Sequence, residues 1–263
     1  TESNVLKNYI GVKSNHRSIL NFIRGKSAPW WWNKNILRNF KVWSGFFPID
    51  TLLVEKYCKL VLSDVPEVNI LGTWKADENL CEDELQNTVK IDFEYLEPFF
   101  SNNPWTKALE GKKVLVIHPF QNSIESQYKK HKLLFKNNLL PKFELKTIKA
   151  VQTVANEKSQ FKTWFEALDF MKNQMNEIDY DIALIGCGAY GFNLAAHAKR
   201  MGKKGFHLGG VLQMLFGITG SRWENPNQFN GMYLKLFNEH WVRPLNEERP
   251  KQAHLIEKDV SYW

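Results

Sequence analysis

The stretch Asp181–Gly210, DYDIALIGCGAYGFNLAAHAKRMGKKGFHLGG, sets the tightest limit on how this chain can fold. Ile182–Ile185 is a short apolar run, as expected of a strand buried on both faces. It enters a G-x-G-x-x-G turn, Gly186-Cys187-Gly188-Ala189-Tyr190-Gly191. A helix is predicted over about Phe192–Met201 and a second strand over Gly205–Leu208. Strand, glycine turn, helix and strand in this order belong to a parallel α/β sheet. Glycines let the backbone turn tightly and approach a ligand closely. The following helix offers unpaired N–H groups and partial positive charge to an anion.

The acidic residue that would hold an adenosine ribose about 20 residues further on is missing. The second strand ends instead in His207-Leu208-Gly209-Gly210. NAD is therefore a poor fit. Two readings of the turn stand: a nucleotide or phosphate site, or a tight turn with no ligand.

Similar punctuation recurs along the chain. Val114–Ile117 is a second apolar strand, ending in His118-Pro119-Phe120-Gln121-Asn122-Ser123, with a helix predicted from Ile124 to about Phe135. Phe143–Lys149 reads as a strand that leads to Gln152-Thr153. Residues 1–24 read as mostly helical around a short motif, in which Ile10 and Val12 read as the end of a first strand and Ser14 or Asn15 as the cap of a helix through Arg24. Further strands are expected at Asn69–Trp74 and Val89–Phe93. Helices are expected from Asp50 or Thr51 to about Leu62, over Phe161–Met175, within Val211–Ile218 and near Met232–Glu239. Residues 25–50, with Trp30-Trp31-Trp32, read as irregular: an acceptor platform, or a lid packed on the core.

The expected fold is an open, mostly parallel α/β sheet flanked by helices, in one domain over 1–263. Residues 25–50 form a lid or insertion in this reading, and 222–263 a C-terminal extension. The net charge of +7 is spread without a run that would mark a nucleic-acid arm. It suits anionic substrates, an anionic membrane face, or mere solubility. Three cysteines without metal or disulfide spacing point to reduced thiols and a cytoplasmic protein. No apolar run reaches the length of a membrane span.

If the strands are parallel, their carboxyl ends share one rim. That rim gathers Asn15, His16, His118, Asn122, Gln152 and the 186–191 turn, donors that suit a nucleoside diphosphate. Each has a plainer reading. His118 can simply satisfy loop backbone, His197 lies mid-helix, and His207 ends a strand before two glycines. Cys187 sits where a helix N-terminus would lower a thiol pKa, but no Cys/His pairing accompanies it. No nucleophile elbow, P-loop or zinc motif is present.

Residues 181–216 resemble the C-terminal part of the GT-D type glycosyltransferases of bacterial surface-glycan assembly. The similarity extends weakly to Trp43–Pro48, Lys113–Asn122 and Ala150–Asn156. The resemblance implies a Rossmann-like sheet, a nucleotide-sugar donor (UDP-sugar foremost) and transfer to a glycan or related hydroxyl acceptor. It also implies Mn or Mg as the candidate cofactor, held in that family by an acidic D-x-E pair. The matching stretch here is Gly11-Val12-Lys13-Ser14-Asn15-His16, which puts Ser14 and His16 at the acidic positions. A hard cation prefers carboxylate oxygens. Either other groups hold the metal, or His16, Lys13 and Arg17 stabilise the leaving diphosphate, or transfer has been lost.

The residues expected at the donor are Ser14, Asn15, Arg17, His118, Asn122, Gln152, Gly186, Cys187, Gly188, Ala189, Tyr190, His207 and Gly209. His16 and Glu97 are the catalytic candidates. The competing reading is a catalytically silent nucleotide- or glycan-binding protein on the same fold. A third is another α/β enzyme, such as a hydrolase or one using SAM.

Overall fold

A computed structural model describes residues 1–13, 19–24, 29–74, 76–256 and 261–263. Its helices are α1 (Glu2–Lys13), α2 (Ile19–Ile23), α3 (Lys34–Ser44), α4 (Thr51–Asp64), α5 (Gln121–Tyr128), α6 (His131–Leu134), α7 (Trp164–Glu177), α8 (Gly191–Arg200), α9 (Leu212–Leu215) and α10 (Ser221–Glu224). The strands are β1 (Ile70–Thr73), β2 (Val89–Asp92), β3 (Lys113–His118), β4 (Glu144–Lys149), β5 (Ile182–Ile185) and β6 (Lys204–His207). The last four form one parallel sheet in the order β4-β3-β5-β6. This is a Rossmann-like α/β architecture. A separate two-stranded parallel sheet pairs Ile70 with Val89.

The two central strands are apolar over Val114–Ile117 and Ile182–Ile185 because each of their faces is covered. Leu115, Ile117, Ala183 and Ile185 point to one side, into a cluster with Phe46, Tyr57, Trp164, Met171 and Leu194. Val114, Val116 and Leu184 point to the other, against Ile124, Leu212, Phe216 and Trp263. The alternation is that of a sheet with two packed layers. Residues from the C-terminal extension, among them Ala253, Ile256 and Trp263, are thus part of the core.

Four expectations need correction. Ile10–Val12 is not the end of a strand but the last full turn of α1. Val5, Asn8 and Tyr9 are buried at helical spacing, and this tertiary contact outweighs the local β-branched pattern. Residues 34–44 are not irregular. Asn33 accepts from the N–H groups of Asn35 and Ile36, and Gly45 closes the helix at φ +74°, so α3 has both caps. The helix predicted over Ile124–Phe135 is two, interrupted at Lys129-Lys130. The segment near Met232–Glu239 is a 3₁₀ stretch, Phe229–Leu236, with Asn230 and Gly231 at positive φ.

Candidate functional site

From β3 the chain moves outward to β4, then returns across β3 to β5 and on to β6. The reversal lies between β3 and β5, and open α/β sheets receive ligands at that point, beyond the strands' carboxyl ends. The loops that leave there are His118–Phe120 and Gly186–Tyr190, two of the stretches singled out in sequence. They run against each other: the Gly186 N–H donates to the Ile117 carbonyl at 2.9 Å. A Cβ on Gly186 would sit 2.9 Å from His118 Cδ2 and 2.5 Å from the Gly209 carbonyl oxygen. Glycine is required here so that three strand ends can converge.

The turn after β5 is packed more than it is open. Gly186, Cys187, Ala189, Tyr190 and Gly191 are buried, and only Gly188 is exposed. Tyr190 stacks on Trp164, with ring centroids 4.9 Å apart and planes 6° from parallel. Burial pushes the Cys187 thiol well above its ordinary range, the opposite of what a helix N-terminus does to an exposed thiol. Nothing favours a nucleophilic Cys187. Gly188 stands at φ +56°, with the Ser44 carbonyl oxygen 3.3 Å from where its Cβ would be. Among the described residues the N–H groups of Gly188 and Ala189 meet no backbone acceptor.

At the end of β3, His118 is buried, and its Nδ1 accepts the Phe120 N–H at 3.0 Å. The ring proton therefore lies on Nε2. Burial lowers the imidazole pKa to about 3, so His118 is neutral near pH 7. The N-terminus of α5 already holds a carboxylate. Glu248, 1 % exposed, accepts the Asn122 N–H at 2.7 Å and the Ser123 N–H at 3.3 Å through Oε1. The Ser123 hydroxyl donates to Oε2. Asn122 thus contributes its backbone to an internal carboxylate, while its side chain is exposed.

At the start of α8 the partly buried His207 ring lies over Gly191. A Cβ on Gly191 would be 2.4 Å from His207 Nε2. Burial lowers the His207 pKa, and Glu2 offsets part of that shift. Gly209, at φ +63°, belongs to the packing around Gly186. Gln152 is half-buried on the loop after β4, next to Thr153, whose hydroxyl donates to the Gly45 carbonyl. Ser44, Gly45, Thr153 and Gly188 therefore meet at one corner of the rim.

Glu97 belongs to a different cluster. It accepts a hydrogen bond from the Tyr233 hydroxyl, and Tyr233 packs with Met214 and Trp223. Burial raises the Glu97 pKa, and the Tyr233 hydrogen bond opposes it. Its link to the rim is indirect, through Tyr262, which lies close over Gly210.

Ser14, Asn15, His16 and Arg17 lie outside the described residues. Lys13 pairs with Glu55 at 2.9 Å. Among the described residues no group of three or more His, Cys, Asp or Glu side chains could hold a metal ion. Their donor set does not fit the divalent cation implied by the resemblance.

No protein-family model, curated protein or solved structure matches this chain.

The residue that sequence reasoning missed is Glu248. It sits in a polar tail, 125 residues beyond Ser123, and only the folded path of the chain brings the two together.

Proposed function

We propose that the protein is a glycosyltransferase, moving a sugar from a nucleotide-sugar donor to a glycan or related hydroxyl acceptor. The observation that carries this reading is the switch point between β3 and β5, with Gly188 the one exposed residue of the turn there and its N–H without a backbone acceptor. The resemblance to GT-D type enzymes supplies the chemical class. In this reading the donor diphosphate lies against the Gly188 corner, bordered by Ser44, Gly45 and Gln152. The acceptor oxygen bonds to the anomeric carbon as the bond to the diphosphate breaks, and the nucleoside diphosphate leaves with that electron pair. Backbone N–H groups aimed at the leaving phosphate would offset its growing charge. His118 acts as a neutral donor and not as a base, because Nδ1 is engaged and Nε2 carries the proton. The acceptor's proton goes to a base left unassigned. Glu97 has a raised pKa, which suits a base, but it is held in the Tyr233 cluster.

A second reading, a catalytically silent nucleotide- or glycan-binding protein, is favoured by Glu248. With its carboxylate on the α5 N-terminus, one of the two helix ends at the switch point is already neutralised.

A thermal-shift panel separates the readings. UDP-, GDP-, dTDP- and CMP-sugars are tested with and without Mn²⁺, beside NAD and SAM. A ligand at a hundredfold excess over its Kd stabilises by about 2.7 kcal/mol, several degrees in Tm. Stabilisation by one nucleotide sugar, with nucleotide released when acceptor is added, supports transfer. Stabilisation without turnover supports the silent binder. A shift with NAD or SAM alone contradicts both.

A further inference from the structure

The chain from Ser3 to Ile49 holds eight Lys or Arg residues and no Asp or Glu. The elements built from it place charge and apolar surface side by side. On α3, Lys34, Arg38 and Lys41 recur at i, i+4 and i+7 and are all exposed, while Leu37, Phe40 and Ser44 face the core. On α2, Ile19, Leu20 and Ile23 are 64 %, 63 % and 72 % exposed. At i, i+1 and i+4 they share one face of the helix. Phe22, half-buried on the flank of that face, meets Trp31 and Trp30 edge-on, at centroid distances of 4.9 and 6.0 Å.

Trp31 is 44 % exposed, yet its backbone is fixed. The buried Asn8 amide donates to the Trp31 carbonyl at 2.9 Å, and its Oδ1 accepts the Asn33 N–H at 2.9 Å. The Trp31 backbone and the start of the cationic helix are thus held by the same side chain. Arg24, exposed, follows α2 directly.

Three large aliphatics exposed on one short helix, beside an exposed tryptophan, are not ordinary surface. We infer that this face docks on the surface of a bilayer containing anionic lipid. Ile19, Leu20, Ile23 and Trp31 would enter the interface, and Lys34, Arg38 and Lys41 would meet the headgroups. Aliphatic and tryptophan side chains next to a cationic stripe are what an interfacial element requires. A single-stranded nucleic acid would use the cations and the tryptophan but would leave the aliphatic face of α2 without a partner. Among the described residues no helix is long and apolar enough to cross a membrane. The inference does not rest on the proposed transfer chemistry.

Co-sedimentation of the intact protein with vesicles tests it. One set is phosphatidylcholine alone, and the other has a third of its lipid replaced by phosphatidylglycerol. The protein is expected to sediment with the second set and not the first, and less so as salt rises. Arg38→Glu with Lys41→Glu should lower partitioning by about tenfold or more. Ile19→Glu with Ile23→Glu should do the same without lowering Tm, since both side chains are exposed. A control reversal on the edge strand, Lys146→Glu, should change nothing. Absence of sedimentation, equal partitioning to both vesicle sets, or full binding by either double variant would overturn the inference. Capture of a single-stranded RNA oligonucleotide with vesicles ignored would do so too.

Discussion

Glu248 shows how one side chain redefines the candidate site. Three of its contacts, to Asn122 N, Ser123 N and the Ser123 hydroxyl, satisfy donors that α5 itself cannot pair. A carboxylate in this place does what a phosphate would do. Glu248→Ala should therefore cost about 1–3 kcal/mol, from lost capping and buried unpaired donors. Added phosphate or sulfate should restore part of that loss in the variant and leave the wild type unchanged, as read from urea unfolding with and without the anion. Indifference of the variant to anions would mean that α5 is capped for stability alone. His118 has a comparable backbone role. Its Nδ1 holds Phe120, and a sequence can show a histidine before a proline but not which ring nitrogen is engaged. Both residues are at the expected rim, yet both are turned inward to the protein's own backbone.

At the level of elements, the strands were the most legible part of the chain. β3, β4, β5 and β6 each fall within a residue or two of the runs that predict them; in the central β3 and β5 this is because buried parallel strands concentrate their signal in contiguous apolar residues, whereas the edge strands β4 and β6 are only partly buried. Helices near the N-terminus were legible in part. Residues 1–24 read as mostly helical, as α1 and α2 are, but the alternating Ile10-Gly11-Val12 hides the end of α1, and the Trp30–Trp32 run and the Gly45 and Pro48 signals hide α3. The Asn33 cap that starts α3 is local and was readable. The tertiary contacts that favour helix at Tyr9 and Phe40, among them the Phe40–Phe46 stack at 4.6 Å, were not. The glycine turn was recognised correctly as a turn, but its glycines serve two purposes. Gly188 takes a left-handed conformation at the surface, whereas Gly186 makes room for the backbone of Gly209. Gly186→Ala should destabilise by about 1–3 kcal/mol, the usual range for overpacking, since a carbonyl 2.5 Å from the new methyl cannot swing aside. Calorimetry showing an unchanged Tm would mean that the loops after β5 and β6 are less closely joined than described.

Across the whole molecule, residues distant in sequence complete the rim. Ser44 and Gly45 come from before the first strand, Thr153 follows β4, and Glu248 and Tyr262 return from the C-terminal end. Sequence reasoning located the rim from the strand ends but had no means of seeing which of its groups the rest of the chain would cover. The expectation was a broad line of donors. The fold leaves a narrower place around Gly188, the one residue of the 186–191 turn that is exposed.

The most direct measurement is the amide NMR spectrum of the isotopically labelled protein as a UDP-sugar is added. If Gly188 marks the donor site, its amide and that of Ala189 shift with saturable dependence on ligand. The same titration of Gly188→Asn, which tolerates the left-handed backbone but adds a side chain, shows weaker binding. Shifts confined to other parts of the protein, or none with any nucleotide sugar, would contradict the assignment.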